Sequence, residues 1–139
     1  MGVYVVTGGS GGIGGKTVEI LRSQGHETIN VDLKGGDINV NIATKEGRQD
    51  VIDKIYELHP EGIDGLICVA GVAGTCGDMK LMFSLNYFGV TGLAYGIYDL
   101  LKKKGGSCVV IVSNTISQGG VHMDLCDMLN YACNQDRNE

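Results

Sequence analysis

The succession of elements along this 139-residue chain predicts a doubly wound α/β fold, with a parallel sheet between two layers of helices. The first indication is that short, continuous apolar runs, typical of strands buried on both faces, alternate with longer segments at helical spacing. The second is glycine, with 23 residues against one proline and no collagen period, which we expect in tight turns and close backbone contacts. A single three-layer α/β/α domain follows from this alternation.

Four strands are predicted, each from a short run of apolar and β-branched residues. They are residues 3–7, 28–33, 65–70 and 107–113. Such a composition is typical of parallel strands, because helices cover both of their faces. Right-handed crossovers are then expected to connect consecutive strands and to place the helices on the faces of the sheet.

Three helices fill the segments between these strands. The first begins near Ile13 and ends before Gly25, where a C-cap glycine would fall. The second covers residues 45–58 and stops before Pro60, since the residue ahead of a proline disfavours helical geometry. The third covers residues 81–104 as one helix and ends in lysines at the negative end of its dipole. Three glycines are expected to let this helix pack closely against the sheet: Gly89, Gly92 and Gly96.

The composition excludes several classes of function. With 11 basic and 16 acidic residues the net charge is −5, and no polybasic run is present, so neither a nucleic-acid nor a membrane partner is expected. The longest apolar run near the N-terminus, residues 3–6, is too short for a signal-peptide core, and we expect a cytoplasmic protein. The five cysteines form no CxxC pair and the histidines are isolated, which predicts reduced thiols and no metal site.

The strongest local signal is the glycine-rich segment TGGSGGIG, residues 7–14, between a predicted strand and a predicted helix. Gly8 would permit a tight turn, Gly12 the close approach of a pyrophosphate, and Gly14 the packing of helix on strand. The opening of the helix would offer unpaired N–H groups and a positive dipole end to the phosphates. Glycine-rich turns also occur in plain linkers, so this interpretation depends on its context.

Asp32 supplies that context. It ends the second predicted strand 18 residues after Gly14, where a carboxylate can accept hydrogen bonds from both hydroxyls of an adenosine ribose. Because its charge would repel a 2′-phosphate, the site is predicted to prefer NAD over NADP. The alternative interpretation is a solvated aspartate at the end of a strand.

Four motifs, in the same order, resemble those of the short-chain dehydrogenase/reductase family. The turn matches the family's TGxxxGIG pattern, and VAG at residues 69–71 is similar to the family's NAG strand end. SLN at residues 84–86 resembles the motif of its helix asparagine, and GSCVVIVS at residues 106–113 resembles the strand that ends in the catalytic serine. Four further segments are similar to the bacterial 3α-hydroxysteroid dehydrogenase/carbonyl reductase subgroup, which uses NAD(H): GHETINVD, NIATKEGR, IDGLICVAG and SLNYFG. The resemblance implies a Rossmann-type fold.

The resemblance also implies roles for individual residues. Ser113 would orient the substrate oxygen, and Asn86 would support a catalytic lysine through a water; the alternatives are a serine bonded to its own turn and an asparagine facing solvent. The implied contacts of the cofactor are Gly8, Ser10, Gly12 and Ile13 for the pyrophosphate, Asp32 and Leu33 for the adenosine ribose, Asn41 and Ile42 for the adenine, and Ala70 and Gly71 for the nicotinamide-side ribose. The subgroup usually has aspartate where Asn41 stands, which would keep a hydrogen bond to adenine without the charge.

The family's catalytic tyrosine and lysine occur as YxxxK, and this sequence contains no such motif. Tyr131 is followed by Gln135 at the lysine position, and a neutral glutamine cannot lower the pKa of a phenol by charge attraction. Residues 118–139 resemble instead the start of an insertion that the subgroup carries before its tyrosine. We therefore expect residues 1–139 to be the N-terminal portion of one dinucleotide-binding domain, with a sheet that is incomplete on its C-terminal side.

Two functions stay open. The first is an NAD-dependent oxidoreductase that interconverts a secondary alcohol and a carbonyl by hydride transfer, with a 3α-hydroxysteroid as one candidate substrate. The second is a truncated, catalytically inactive module that binds NAD(H). The family resemblance further implies a homodimer or homotetramer.

Overall fold

The computed structural model describes residues 1–113, which form one parallel sheet with helices on both of its faces. The strands are β1 (Val3–Thr7), β2 (Glu27–Asp32), β3 (Ile38–Asn39), β4 (Gly65–Cys68) and β5 (Ser107–Val110). Their order across the sheet is β3-β2-β1-β4-β5, and all neighbouring strands are parallel. The predicted doubly wound, Rossmann-type α/β class is confirmed.

Helices connect these strands, and the second of them has the predicted bounds. The helices are α1 (Gly12–Ser23), α2 (Lys45–Leu58), α3 (Met79–Met82), α4 (Phe88–Gly96) and α5 (Tyr98–Lys104), with a 3₁₀ turn at Gly74–Cys76 and a π-helical segment at Phe83–Tyr87. The start of α2 is fixed by Thr44, whose Oγ1 accepts a hydrogen bond of 3.0 Å from the main-chain N–H of Gly47.

The direction of the winding reverses at β1. The chain passes from β1 through α1 to β2 on one side, and later returns through α2 to β4 on the other side of β1. Right-handed crossovers in opposite directions place α1 on one face of the sheet and α2 on the other. The carboxyl ends of β1 and β4 therefore border the crevice in which ligands of such sheets bind.

The main core lies between the sheet and the helices α2, α4 and α5. Its most deeply buried members are Val5, Val51, Ile55, Ile63, Leu66, Leu93, Ile97 and Leu100. Because side chains alternate across a strand, the residues between the core positions of β2 face α1 instead. The Nε of Arg22 in α1 accordingly donates a hydrogen bond of 2.6 Å to the hydroxyl of Thr28.

The third helix differs from the prediction of one continuous helix over residues 81–104. The π-helical segment interrupts it, and the backbone at Ile97 leaves helical geometry between α4 and α5. Two of its three glycines face α2 instead of the sheet: a Cβ added to Gly92 would lie 2.8 Å from Cδ of Arg48, and one added to Gly96 would lie 2.7 Å from Cγ1 of Ile52. The prediction was wrong on this point, because α4 packs against α2 and the glycines allow those two helices to approach.

The strands also differ from the predicted ranges at their ends. β2 begins and ends one residue earlier, β4 ends at Cys68 and β5 at Val110. The short strand β3 was not predicted, since its two residues acquire strand geometry only by pairing with β2. Within residues 1–113, β5 is an edge strand, and its Val109 and Val110 side chains are exposed.

Three expectations concern the chain more broadly. The predicted insertion at residues 118–139 lies outside the described residues, as do Tyr131 and Gln135. Among residues 1–113, every helix is too short or too polar to cross a bilayer. The cysteines in this part of the chain, Cys68, Cys76 and Cys108, are free thiols.

Candidate functional site

The glycine-rich turn between β1 and α1 has the geometry of a phosphate-binding loop. Gly8 has φ +73°, and a Cβ there would lie 2.8 Å from the main-chain nitrogen of Ala70. Gly12 has φ +54°, and a Cβ there would meet no atom within 4 Å, so the backbone is open to a ligand. A Cβ on Gly14 would lie 2.7 Å from the carbonyl carbon of Gly8, which shows how closely α1 packs against the turn.

The opening of α1 offers hydrogen-bond donors to an anion. Gly11 at the N-cap has no side chain to accept from the first N–H groups, and the first turn carries no acidic residue. These N–H groups and the positive end of a 12-residue helix dipole lie together at the carboxyl edge of the sheet. A phosphate placed there would find donors without a competing carboxylate on the same turn.

Asp32 lies at the tip of β2 and is bonded to the turn. Its Oδ2 accepts a hydrogen bond of 3.0 Å from the main-chain N–H of Ser10, and its Oδ1 accepts one of 2.7 Å from that of Leu33. Each carboxylate oxygen has a second lone pair available for a ligand hydroxyl. The carboxylate is therefore held in place against the phosphate loop.

One cavity of about 370 Å³ collects most of the residues predicted to hold a cofactor. Its lining comprises Gly8, Gly11, Ile13, Asp32, Leu33, Val69, Ala70, Gly71, Val72 and Leu85. Glycine backbone and apolar side chains form most of this wall, and Asp32 is the only ionisable side chain that residues 1–113 contribute to it. Such a lining suits the apolar faces and the hydroxyls of a nucleoside.

A second cavity, of about 540 Å³, adjoins the first across residues 69–72, which line both. Asn86 and Ser113 line this second cavity together with residues from the ends of β4 and β5. The structure thus brings the two predicted catalytic residues beside Ala70 and Gly71, although they are far apart in the sequence. Residues 69–72 are therefore a wall common to both cavities.

Two hydrogen-bonded anchors hold the segment 69–72 between the cavities. The hydroxyl oxygen of Thr7 accepts bonds of 3.2 Å from the N–H groups of both Val69 and Ala70. At the other end, the amide of Asn86 accepts from the N–H of Val72 at 2.9 Å and donates to its carbonyl oxygen at 2.8 Å. Asn86 lies in the π-helical segment, a type of interruption that is frequent at functional sites.

Four of the residues predicted to contact the cofactor do not line this cavity. Ser10 and Gly12 belong to the phosphate turn beside it, whereas Asn41 and Ile42 lie on a different segment. The side chain of Ile42 is buried in the core, and its carbonyl oxygen accepts a bond of 3.0 Å from Arg48. Asn41 is exposed, and its Oδ1 accepts a bond of 3.0 Å from the main-chain N–H of Ala43. Its amide Nδ2 has no hydrogen-bond partner among the described residues and is available to a ligand.

A further groove, of about 440 Å³, lies between β3 and α2. Its lining includes the carboxylates of Asp37, Asp50, Asp53 and Glu57, with Lys54 as a single cation. Such a surface would repel the phosphates of a dinucleotide, and it contains none of the residues predicted for the site. The cavities at the carboxyl edge of the sheet are therefore the better candidates.

The thiols near the site are not activated. Burial and the neighbouring Cys108 raise the pKa of Cys68, which lines the second cavity, to about 12. Burial likewise raises the pKa of Cys108 above its usual range. A thiol in this state stays protonated at neutral pH and is a poor nucleophile, which leaves Ser113 as the better candidate for direct contact with a substrate.

Sequence reasoning missed two residues that support the site. Thr7 anchors the segment 69–72, and its position at the end of β1 was noted only as part of the turn motif. Asn30 lies inside β2, where its Nδ2 donates a hydrogen bond of 3.2 Å to the hydroxyl oxygen of Ser10. The signal that could have found it is an amide between two β-branched apolar residues, Ile29 and Val31, inside a predicted strand.

Comparison with known proteins identifies the family. Residues 2–125 match the family described as short chain dehydrogenase. The chain belongs to the short-chain dehydrogenase family. The resemblance expected from the sequence motifs is confirmed, and the placement of the glycine-rich turn between β1 and α1 agrees with it.

Individual members of the short-chain dehydrogenase family are similar to this chain over most of its length. It is 30% identical to the 3-alpha-hydroxysteroid dehydrogenase/carbonyl reductase of Comamonas testosteroni. This match extends over 117 residues and covers 84% of this chain and 46% of that protein. It is 37% identical to the coniferyl-alcohol dehydrogenase of a Pseudomonas species. This match extends over 111 residues and covers 78% of this chain and 43% of that protein.

A solved structure of the family is also similar. The 3-alpha-hydroxysteroid dehydrogenase of Pseudomonas sp. B-0831, crystallised with NADH, superposes with a TM-score of 0.80 at 32% identity. The match covers 85% of this chain and 47% of that protein. The chain therefore spans less than half the length of these relatives.

Proposed function

We propose that this short-chain dehydrogenase binds NAD(H) and takes part in the interconversion of a secondary alcohol and a carbonyl compound. One observation carries the cofactor assignment: the carboxylate of Asp32 is bonded to Ser10 of the phosphate turn and lines the same cavity as Gly8, Ala70 and Gly71. A dinucleotide needs donors for its diphosphate and an acceptor for its ribose hydroxyls, and this cavity offers both. The NADH complex of a 32% identical relative supports the proposal.

In this proposal, the cofactor residues are those that the sequence predicted. The turn Gly8, Ser10, Gly12 and Ile13 would hold the diphosphate, Asp32 and Leu33 the adenosine ribose, Asn41 and the main chain of Ile42 the adenine, and Ala70 with Gly71 the second ribose. When bound, the nicotinamide ring would donate or accept the hydride. The negative charge of the Asp32 carboxylate would repel the 2′-phosphate of NADP(H), so we propose NAD(H) as the cofactor.

The substrate side of the proposal depends on Ser113 and Asn86. The hydroxyl of Ser113 would orient the oxygen of the alcohol or carbonyl in the second cavity, and Asn86 would hold the segment 69–72 against it. The two similar proteins carry the names of dehydrogenases for a hydroxysteroid and for coniferyl alcohol. We therefore propose a bulky, largely apolar alcohol as substrate, with a 3α-hydroxysteroid as the first to test, and a homodimer or homotetramer as the assembly.

One observation favours a second candidate. The 139 residues contain no YxxxK motif, and the residue four positions after Tyr131 is the neutral Gln135. If these 139 residues acted alone, no lysine would stabilise the phenolate of Tyr131, and proton transfer at neutral pH would be slow. The alternative is therefore a module that binds NAD(H) and does not turn over. Binding of NADH together with the absence of hydroxysteroid oxidation would favour this alternative.

Titration with NADH and with NADPH tests the cofactor proposal. We expect NADH to bind more tightly than NADPH. Asp32→Asn should lower the affinity for NADH about tenfold, because a hydrogen bond to a charged group is lost. The same variant should raise the affinity for NADPH. Asp50→Asn is the matched control: it removes the same charge from the exposed acidic groove and should leave both dissociation constants unchanged.

Two outcomes would contradict the proposal. Calorimetry that detects no heat of binding for either NAD or NADH would exclude the function. Tighter binding of NADPH, with a ratio that Asp32→Asn leaves unchanged, would remove Asp32 from the cofactor site.

A further inference from the structure

Asn30 is a buried amide in a strand that is otherwise apolar at its centre. It lies within β2 and is 5% exposed, and both of its sequence neighbours, Ile29 and Val31, belong to the main core. Because strand side chains alternate, Asn30 points to the other face of the sheet, beneath the phosphate turn and α1. An added Cβ on Gly9 of the turn would lie 2.7 Å from Cγ of Asn30, which places the amide directly against the turn.

The amide of Asn30 makes one of its four possible hydrogen bonds among the described residues. Its Nδ2 donates a hydrogen bond of 3.2 Å to Oγ of Ser10, and its Oδ1 is buried without a hydrogen-bond partner among residues 1–113. An unpaired buried carbonyl oxygen costs stability, and an apolar residue of the same size would not carry this cost. The contact with Ser10 is the one interaction of this amide with a group that can reach a ligand.

The bond from Asn30 determines what the hydroxyl of Ser10 can do. A serine hydroxyl has one hydrogen and two lone pairs, and one lone pair accepts from Asn30. Its hydrogen must then point away from the Nδ2 of Asn30. The main chain of Ser10 is fixed as well, because its N–H donates to Oδ2 of Asp32. Ser10 is exposed at the turn, so its hydroxyl hydrogen can donate to a group outside the protein, which is where the proposed function places the diphosphate.

We propose that Asn30 is a positioning residue for the cofactor: it holds the Ser10 hydroxyl as a hydrogen-bond donor to a phosphate oxygen of the bound dinucleotide. This inference rests on the proposed function of the site. Phosphate oxygens at neutral pH only accept hydrogen bonds, so an oriented hydroxyl adds one donor to the N–H groups at the opening of α1. A serine free to rotate would offer its hydrogen there only part of the time.

A double-mutant cycle on NADH affinity tests this proposal. The variants are Ser10→Ala, Asn30→Leu and the double variant, with NADH fluorescence as the measurement. If Asn30 acts through Ser10, each single variant weakens NADH about tenfold, and the double variant is no weaker than about tenfold. The thermal midpoint of Asn30→Leu should equal or exceed that of the parent protein, because leucine removes the unpaired oxygen.

Asn30→Asp gives a second measurement that does not depend on how leucine packs. Aspartate has the same shape as asparagine, but its carboxylate accepts the hydroxyl hydrogen of Ser10 and turns the donor away from the phosphate. We expect it to weaken NADH by more than Asn30→Leu does. Asn39→Asp is the matched control, since it adds the same charge to the neighbouring strand β3, where both amide atoms bond to Gly36 instead of the turn.

The outcomes separate this inference from the proposed function. A double variant that binds NADH about a hundredfold more weakly than the parent protein would overturn the role of Asn30 while NADH binding stands. An unchanged NADH affinity in Asn30→Leu would do the same. Equal weakening by Asn30→Asp and Asn39→Asp would overturn it too. A parent protein that binds no NADH would overturn both the proposed function and this inference.

Discussion

Replacement of Gly14 by alanine is expected to separate the packing of the phosphate turn from the helix propensity of α1. The added methyl group would overlap the carbonyl oxygen of Gly8 and lie 2.7 Å from its carbonyl carbon. Both atoms belong to the backbone, so α1 and the turn would have to move apart. Overpacking of this kind costs up to about 3 kcal/mol. Alanine recovers about 1 kcal/mol of helix propensity, which leaves a net loss of about 2 kcal/mol.

The next residue in the helix provides the matched control. A Cβ on Gly15 would lie 3.6 Å from the carbonyl oxygen of Gly9, an ordinary van der Waals distance. Gly15→Ala should therefore only gain helix propensity and stabilise the protein by about 1 kcal/mol. The two variants make the same chemical change at adjacent positions, and we expect them to differ by about 3 kcal/mol.

Urea unfolding followed by circular dichroism measures this difference. With a denaturant dependence of about 2 kcal/mol per M, the midpoints of the two variants should differ by about 1.5 M, and Gly14→Ala should have the lower one. Equal midpoints, or a higher midpoint for Gly14→Ala, would refute the reasoning, because they would mean that the turn adjusts to the methyl group at no cost.

Two further predictions concern titrating groups. With a pKa of about 12, about one Cys68 thiol in ten thousand is ionised at pH 8, so iodoacetamide should label the exposed Cys76 and spare Cys68 until urea unfolds the chain. Tandem mass spectrometry distinguishes the two sites, and equal labelling of the native protein would contradict the burial of Cys68. A main-chain hydrogen bond and one from His59 hold the pKa of Glu61 below 4.5. The stabilisation from this carboxylate is therefore present at pH 7 and lost as the pH falls through its lowered pKa. Urea midpoints of the parent protein and Glu61→Gln should differ at pH 7 and converge on acidification. A difference between the midpoints that stays constant down to pH 3 would contradict this pH dependence.

Elements with strong local signals were predicted well from the sequence. The helix α2 has its predicted bounds because Thr44 caps its start and Pro60 lies just beyond its end. The strand β1 was also predicted correctly, since an apolar β-branched run ends at a glycine turn. In these elements the determinants of structure lie within a few residues of the element itself.

Elements that depend on distant partners were predicted less well. The π-helical segment contains Asn86, whose amide is hydrogen-bonded to Val72 in another part of the chain. No local sequence pattern predicts that hydrogen bond. The break at Ile97 accompanies the burial of that side chain in the core. Glycine spacing alone could not show that α4 packs against α2 instead of the sheet.

In the candidate site, too, the residues with local signals were predicted and those that depend on distant partners were not. The glycine-rich turn and Asp32 follow from local sequence, and the structure brings them together in one cavity. The support from Asn30 was not predictable, because its partner Ser10 lies 20 residues away and on a different element. Asn41 and Ile42 were placed by resemblance, and that resemblance does not specify which of their atoms face a ligand.

The segment between the two cavities has a consequence for the energetics of binding. Thr7 fixes one end of residues 69–72 and Asn86 fixes the other, so this loop has few conformations to give up when a ligand arrives. In the proposed function, binding would then cost little conformational entropy at the wall shared by the two cavities, and more of the contact energy would be retained as affinity. Loosening the Thr7 anchor would then reduce affinity without removing a side chain that lines either cavity.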